Sequence, residues 1–206
     1  MSLLNAWVGK TRAMIGVDTD SITPEGEHFD TSKLLILPHA GVVFAGRGDR
    51  LFVEALFQYF YRGTGTIRFD EVAEHLSNAI RAVIEHMRSL PGFSSEQDYQ
   101  VVVAGWSEKL QRMSGYFAHG VFDVNATPAI DKLGQIVMPH DPWLDCLREI
   151  PTPKEPESHL ILAAVQSKWL RQQGTAGGGR LVLAELTQDQ VTVRTLSFQG
   201  TSSEER

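Results

Sequence analysis

Apolar and polar positions alternate singly at the start of the chain. Leu4, Ala6 and Val8 are interleaved with Asn5, Trp7 and Gly9, and a period of two predicts a half-buried strand. Gly9-Lys10-Thr11-Arg12 reads as a tight turn, and Ala13-Met14-Ile15-Gly16-Val17 as a buried strand ending at Asp18. Residues 19–31 are polar, with Pro24 and Gly26 as breakers, and predict a loop. Two short apolar runs, 34–37 and 42–45, flank Pro38-His39-Ala40-Gly41 and predict a hairpin.

The period then lengthens. Asp49 is an expected N-cap. Leu51, Phe52, Val53, Leu56, Phe57 and Phe60 are apolar on most faces and predict a helix buried on two sides. After a Gly63-Thr64-Gly65-Thr66 loop, Asp70 is expected to cap a second helix. It carries Val72, Ala73, Leu76, Ile80, Val83, Ile84 and Met87 at helical spacing and stops at Pro91-Gly92. Residues 99–106 predict a strand, with 110–117 as its partner. Residues 120–157 hold most of the prolines and read as irregular, apart from a short helix over 143–148. Ser158 is expected to cap a last helix, with Leu160, Ile161, Ala164, Val165, Trp169 and Leu170 as its apolar positions. Residues 174–179 break the chain, 181–186 and 191–196 close it as a hairpin, and 200–206 form a loose polar tail. Runs of strands separated by runs of helices favour antiparallel sheets with helices layered outside them, an α+β class. The whole of 1–206 is expected to be one domain.

Composition narrows the function classes. Hydrophobic residues make up 42% and charged residues 21% of the chain, which is ordinary globular usage. A net charge of -6 argues against nucleic acid as a partner, because phosphate binding needs clustered cations. No apolar run approaches the ~20 residues that cross a bilayer. The start lacks the basic-then-apolar layout of a secretory signal, and Cys146 has no second cysteine to pair with. A cytoplasmic location, without membrane or cofactor, is the expectation.

The element order, with three local motifs, resembles the proteasome β-subunit and its HslV-like relatives, within the N-terminal-nucleophile hydrolases. The motifs are Ile15-Gly16-Val17-Asp18, Ser32-Lys33-Leu34-Leu35, and Phe44-Ala45-Gly46-Arg47-Gly48-Asp49. Val101-Val102-Val103-Ala104-Gly105-Trp106 is similar to the family's central strand. The likeness covers residues 2–118 closely and 158–198 loosely. It implies a four-layer αββα sandwich: two antiparallel sheets with helices on both outer faces. It also implies that the first residue of the mature chain is the nucleophile and its free α-amine the base. Removal of Met1 would make Ser2 that residue, with Asp18 sixteen positions beyond it. The implied catalytic set is Ser2, Asp18, Lys33 and Gly46, with Gly46 offering its N–H to the oxyanion. The implied partners are identical subunits in a ring, a peptide or unfolded protein as substrate, and an ATP-dependent unfoldase.

The sequence departs from that pattern in using Ser rather than Thr. It also lacks a Gly-Ser-Gly-type step within 120–156. Before the last hairpin it reads Gly174-Thr175-Ala176-Gly177-Gly178-Gly179, without the expected Asp and Ser supports. Two alternatives therefore stand beside peptidase activity: a catalytically inactive structural subunit, and an amidase acting on a small amide by the same nucleophile. Blander readings stand beside each residue as well. Ser2 is also the ordinary residue after an initiator, Asp18 a turn cap, and Lys33 a solvated strand-edge lysine. Asp18-Thr19-Asp20 has the form of a DxD metal motif. Neither Gly63-Thr64-Gly65-Thr66 nor the 177–179 glycines run into Gly-Lys-Ser/Thr, so both read as turns. His140-Asp141 near Cys146 matches no closed zinc spacing.

Overall fold

Strand β1 (Leu4–Val8) turns at Gly9, whose N–H donates to the Arg12 carbonyl at 2.9 Å, into β2 (Ala13–Asp18). The alternation holds: Leu4, Ala6, Val8, Ala13, Ile15 and Val17 enter one buried layer. The polar stretch is not wholly loop, because β3 (Asp20–Ile22) and β4 (His28–Asp30) pair as a small hairpin. β5 (Leu34–Leu37) and β6 (Val42–Gly48) form the expected hairpin, and β6 continues through the glycines. In this computed structural model residues 2–23, 25–62, 67–90, 98–123, 125–147, 149–175 and 177–197 are described. The expectations for Met1, the 63–66 loop, the Pro91-Gly92 stop and the 200–206 tail lie outside them.

Asp49 caps α1 (Arg50–Tyr61), accepting the amides of Leu51 at 2.7 Å and Phe52 at 3.3 Å. Only one face of α1 is buried, through Phe52, Val53, Leu56 and Phe60; Leu51, Tyr59 and Tyr61 face outward. α2 (Phe69–Arg88) starts two residues earlier than expected, with Arg68 rather than Asp70 at the N-cap. Glu71 reaches back to the Arg68 amide at 3.0 Å, while Asp70 takes the Ser107 hydroxyl instead of capping. β7 (Asp98–Ser107) and β8 (Arg112–Val121) follow as paired strands.

The segment read as irregular supplies a strand to each sheet. β9 (Ala129–Lys132) pairs with β8, and β10 (Gln135–Met138) pairs with β1. The expected short helix is a single 3-10 turn, Leu144–Cys146, held by Asp141, which accepts the Trp143 and Leu144 amides at 2.9 and 3.2 Å. α3 (Pro156–Gln172) opens on a proline, ahead of the expected Ser158 cap. β11 (Arg180–Leu186) and β12 (Val191–Ser197) close the chain.

The larger sheets are ordered β10-β1-β2-β11-β12 and β5-β6-β7-β8-β9, and every pairing within them is antiparallel. Their facing sides form one apolar layer in which Ala6 and Ile15 meet Val43, Val102 and Ala104. α1 and α2 cover the outer face of the second sheet through Phe44, Phe52, Leu76 and Val103. α3 covers the first through Ala163, Leu170, Leu3 and Leu181. The result is a four-layer α+β sandwich with helices on both outer faces. Among the described residues, no helix is long and apolar enough to cross a membrane.

Candidate active site

Antiparallel pairing places Leu4 opposite Val17, so the residues before β1 meet the end of β2. Asp18 Oδ1 accepts the Leu3 amide at 3.0 Å and the Lys33 ammonium at 2.9 Å. Lys33 Nζ also donates to the Asp20 carbonyl. One carboxylate oxygen thus ties the start of the chain to the lysine that opens β5. Asp18 is fully buried and Lys33 retains 8% exposure, which excludes the solvated lysine and the surface turn cap. Burial pushes the Asp18 carboxyl up and the Lys33 ammonium down; their contact opposes both shifts. Asp18 Oδ2 has no hydrogen-bond partner among the described residues.

Ser2, the residue before the Leu3 amide that Asp18 holds, is buried, with 8% exposure. Its carbonyl accepts from Arg47 Nε at 2.7 Å, and Arg47 Nη1 donates to Gln100 Oε1 at 2.8 Å. Gly46 is required by packing, because a Cβ there would collide with Val53 of α1. Its N–H donates to the Lys33 carbonyl at 3.1 Å, so it meets any substrate oxygen as a shared donor. A small cleft opens beside Lys33, lined also by Ser21, Ser32, Gly46, Val53 and Glu54. Ser2 and Asp18 are not among its lining residues.

The loop before β11 is held from two directions. Asp20 Oδ2 accepts the Gly177 amide at 3.0 Å, while Asp20 Oδ1 takes His28 Nδ1 at 2.8 Å. Ser167 of α3 donates its hydroxyl to the Gly177 carbonyl and accepts from Arg171 at 2.9 Å. Thr175 of the same loop donates its hydroxyl to the Leu170 carbonyl at the end of α3. His159 of α3 donates Nε2–H to the Pro153 carbonyl at 2.7 Å. Its ring packs on Gly16 of β2, where a Cβ would stand 2.5 Å from Nδ1.

No protein-family model and no curated protein matches the chain. Among solved structures, the chain is similar to the Anbu Gly-1 mutant from Hyphomicrobium sp. strain MC1. The TM-score is 0.65 over 97% of this chain and 89% of that chain, at 12% sequence identity. The fold is that of the N-terminal-nucleophile hydrolases. The resemblance to the proteasome β-subunit and HslV-like family is thereby corrected as a statement of membership. With no family model matching, an identity of 12% carries the N-terminal-nucleophile fold and no family.

Of the expected residues, Asp18, Lys33 and Gly46 are joined by hydrogen bonds, and Ser2 is the residue before the Leu3 amide that Asp18 holds. The sequence did not reveal the contacts that Arg47, Asp20, Ser167 and His159 make here. Arg47 carried a visible signal. It shares strand parity with the buried Val43 and Ala45, and a charge on a buried face implies a buried partner. The other candidates separate from the site. His140 pairs with Asp145 at 2.9 Å on the surface, and Cys146 is exposed. Among the described residues, no group of three His, Cys, Asp or Glu converges in a way that could hold a metal.

Proposed function

We propose that the protein is an N-terminal-nucleophile hydrolase that cleaves peptide bonds with Ser2, as the first residue of the mature chain. The supporting observation is the bond from Lys33 to Asp18 Oδ1, the same oxygen that holds the Leu3 amide. It brings a buried cation and its counter-ion to the start of the chain.

The reaction assigns each group one task. Ser2 Oγ attacks the scissile carbonyl carbon, and its proton passes to the Ser2 α-amine, directly or through a water. A free α-amine has a pKa of about 8, and a neighbouring ammonium lowers it toward a neutral, proton-accepting form. Asp18 keeps Lys33 oriented. The Gly46 N–H shares itself between the Lys33 carbonyl and the developing oxyanion, where a donor is typically worth about 10²–10³ in rate. As the tetrahedral intermediate collapses, the C–N bond breaks and the leaving amine takes the proton from the α-ammonium. Water, deprotonated by the same amine, then hydrolyses the ester and restores Ser2.

Such a site works within a closed ring of identical subunits, which limits hydrolysis to peptides or unfolded chains; an ATP-driven unfoldase would deliver the latter. The likeness to the Anbu mutant structure supports the fold on which this assembly rests. The second reading is a non-catalytic subunit. The observation favouring it is that the Gly46 amide is already bonded.

Intact-protein mass after exposure to a peptide epoxyketone tests the proposal. The reagent closes a ring only on a first residue carrying both a nucleophilic side chain and a free amine. Loss of Met1 with one adduct is the expected result. Retained Met1, or Met1 lost without an adduct, removes the peptidase reading in favour of the subunit or amidase.

A further inference from the structure

We infer that Arg47 is a positioning residue for the Ser2 nucleophile, and that it acts by gripping the Ser2–Leu3 peptide unit. This rests on the reading of Ser2 above. The Ser2 carbonyl and the Leu3 amide belong to one planar peptide group. Arg47 Nε holds its oxygen at 2.7 Å, and Asp18 Oδ1 holds its N–H at 3.0 Å. A cation and an anion therefore clamp the two ends of one plane. With that plane fixed, ψ of Ser2 alone sets where the α-amine and Cβ stand relative to Lys33.

The grip comes from rigid elements. Phe44 of β6 faces the helices, while Val43 and Ala45 face the layer between the sheets. Arg47 follows the parity of Val43 and Ala45 and reaches out to the chain start. Its guanidinium is braced by Gln100, which lies directly opposite Arg47 in the β6–β7 register and accepts Nη1 at 2.8 Å. Asp98 and Asp18 also act on this cation, whose pKa burial lowers. A charge-assisted bond to a carbonyl, held by a second side chain on the neighbouring strand, is a fixed support. Small displacements of a nucleophile are costly: about 1 Å takes about 10²-fold from the rate.

The test separates positioning from mere anchoring. Arg47→Met, Arg47→Lys and wild type are each released from a fusion so that the chain begins at Ser2. They are then titrated with the peptide epoxyketone, followed by intact mass. Arg47→Met is expected to lower the maximal inactivation rate by about 10- to 100-fold, with the half-saturating concentration within about threefold. Arg47→Lys, which keeps one donor, is expected to recover most of the loss. An unchanged maximal rate in Arg47→Met overturns the inference, and so does a loss carried by the half-saturating concentration alone. If wild type forms no adduct, the peptidase reading fails while the grip stays testable. Periodate cleaves the amino alcohol of an N-terminal serine to an aldehyde only when it can close around both groups. Faster cleavage in folded Arg47→Met supports the grip, and an equal rate overturns it. Should Arg47→Met not fold, Gln100→Leu removes the brace alone. It is expected to give a smaller change in the same direction, and no change in either assay overturns the inference.

Discussion

The Gly46 amide donates to the Lys33 carbonyl at 3.1 Å, so the oxyanion donor of the proposed reaction and its cation are also neighbours in a backbone ladder. Gly46 has a second constraint, from Val53 on the opposite side. Gly46→Ala is expected to destabilise the protein by about 1–3 kcal/mol through overpacking. Gly46→Ala/Val53→Ala should recover most of that in a denaturant midpoint. Epoxyketone capture by the double variant at the wild-type rate would show that the requirement for glycine there is one of space.

Lys33 and Asp18 are predicted to be inseparable. Lys33→Met leaves a buried carboxylate unpaired, a change that typically costs about 3–5 kcal/mol. Asp18→Asn/Lys33→Met removes both charges and leaves an oxygen for the Leu3 amide. It should melt close to wild type, yet form no epoxyketone adduct. An adduct at the wild-type rate in that double variant would remove Lys33 from the reaction.

His159 gives the protein an acid sensitivity. Burial lowers its pKa from 6.5 to about 4, opposed by the bond to the Pro153 carbonyl. Between these values the unfolded chain binds the proton and the folded one does not. Stability is therefore intact above pH 6.5 and falls as the pH drops toward 4. Linkage gives a loss of about 2 kcal/mol between about pH 7 and pH 5 from this residue. His159→Phe is expected to be less stable at neutral pH and to lack this part of the pH slope, as read by urea midpoints. A slope identical to wild type would exclude His159 as the source.

Asp20→Ala should loosen the loop before β11 by freeing the Gly177 amide. Loss of one such bond is worth about 1 kcal/mol, so hydrogen exchange at Gly177 is expected to quicken by about 5- to 10-fold. Asp20→Asn keeps an acceptor oxygen and should give an intermediate rate. Unaltered exchange in Asp20→Ala would show that Ser167 suffices to hold the loop.

Elements that bury an alternating or helical stripe were legible in the sequence, as β1, β2, β5, β7, β11 and α2 show. Those missed bury little. His28, Phe29 and Asp30 of β4 are all exposed, and β9 reads exposed, half-buried, exposed, exposed. Such strands exist because a neighbour offers its hydrogen-bonding edge, and no local pattern reports that edge. Helix starts shifted for a similar reason: Asp70 is drawn to Ser107 and Lys109, far along the chain, rather than to its own helix. The spacing of Asp18 and Lys33 was visible through a resemblance. The contact of Asp20 with Gly177 spans 157 positions and was not.

Strands β10 and β11 set when the molecule can become complete. β10 pairs Met138 with Leu4, and β11 pairs Leu181 with Asp18, so the first two strands made are flanked by some of the last. Closing loops of that length is slow, and it cannot begin until the late strands have left the ribosome. The Asp18–Lys33 contact is within reach of a short nascent chain, whereas the sheet that carries Asp18 is not. The proposed chemistry is therefore deferred by topology: a partly synthesised copy holds Ser2, Asp18 and Lys33 without the framework that would set them to work.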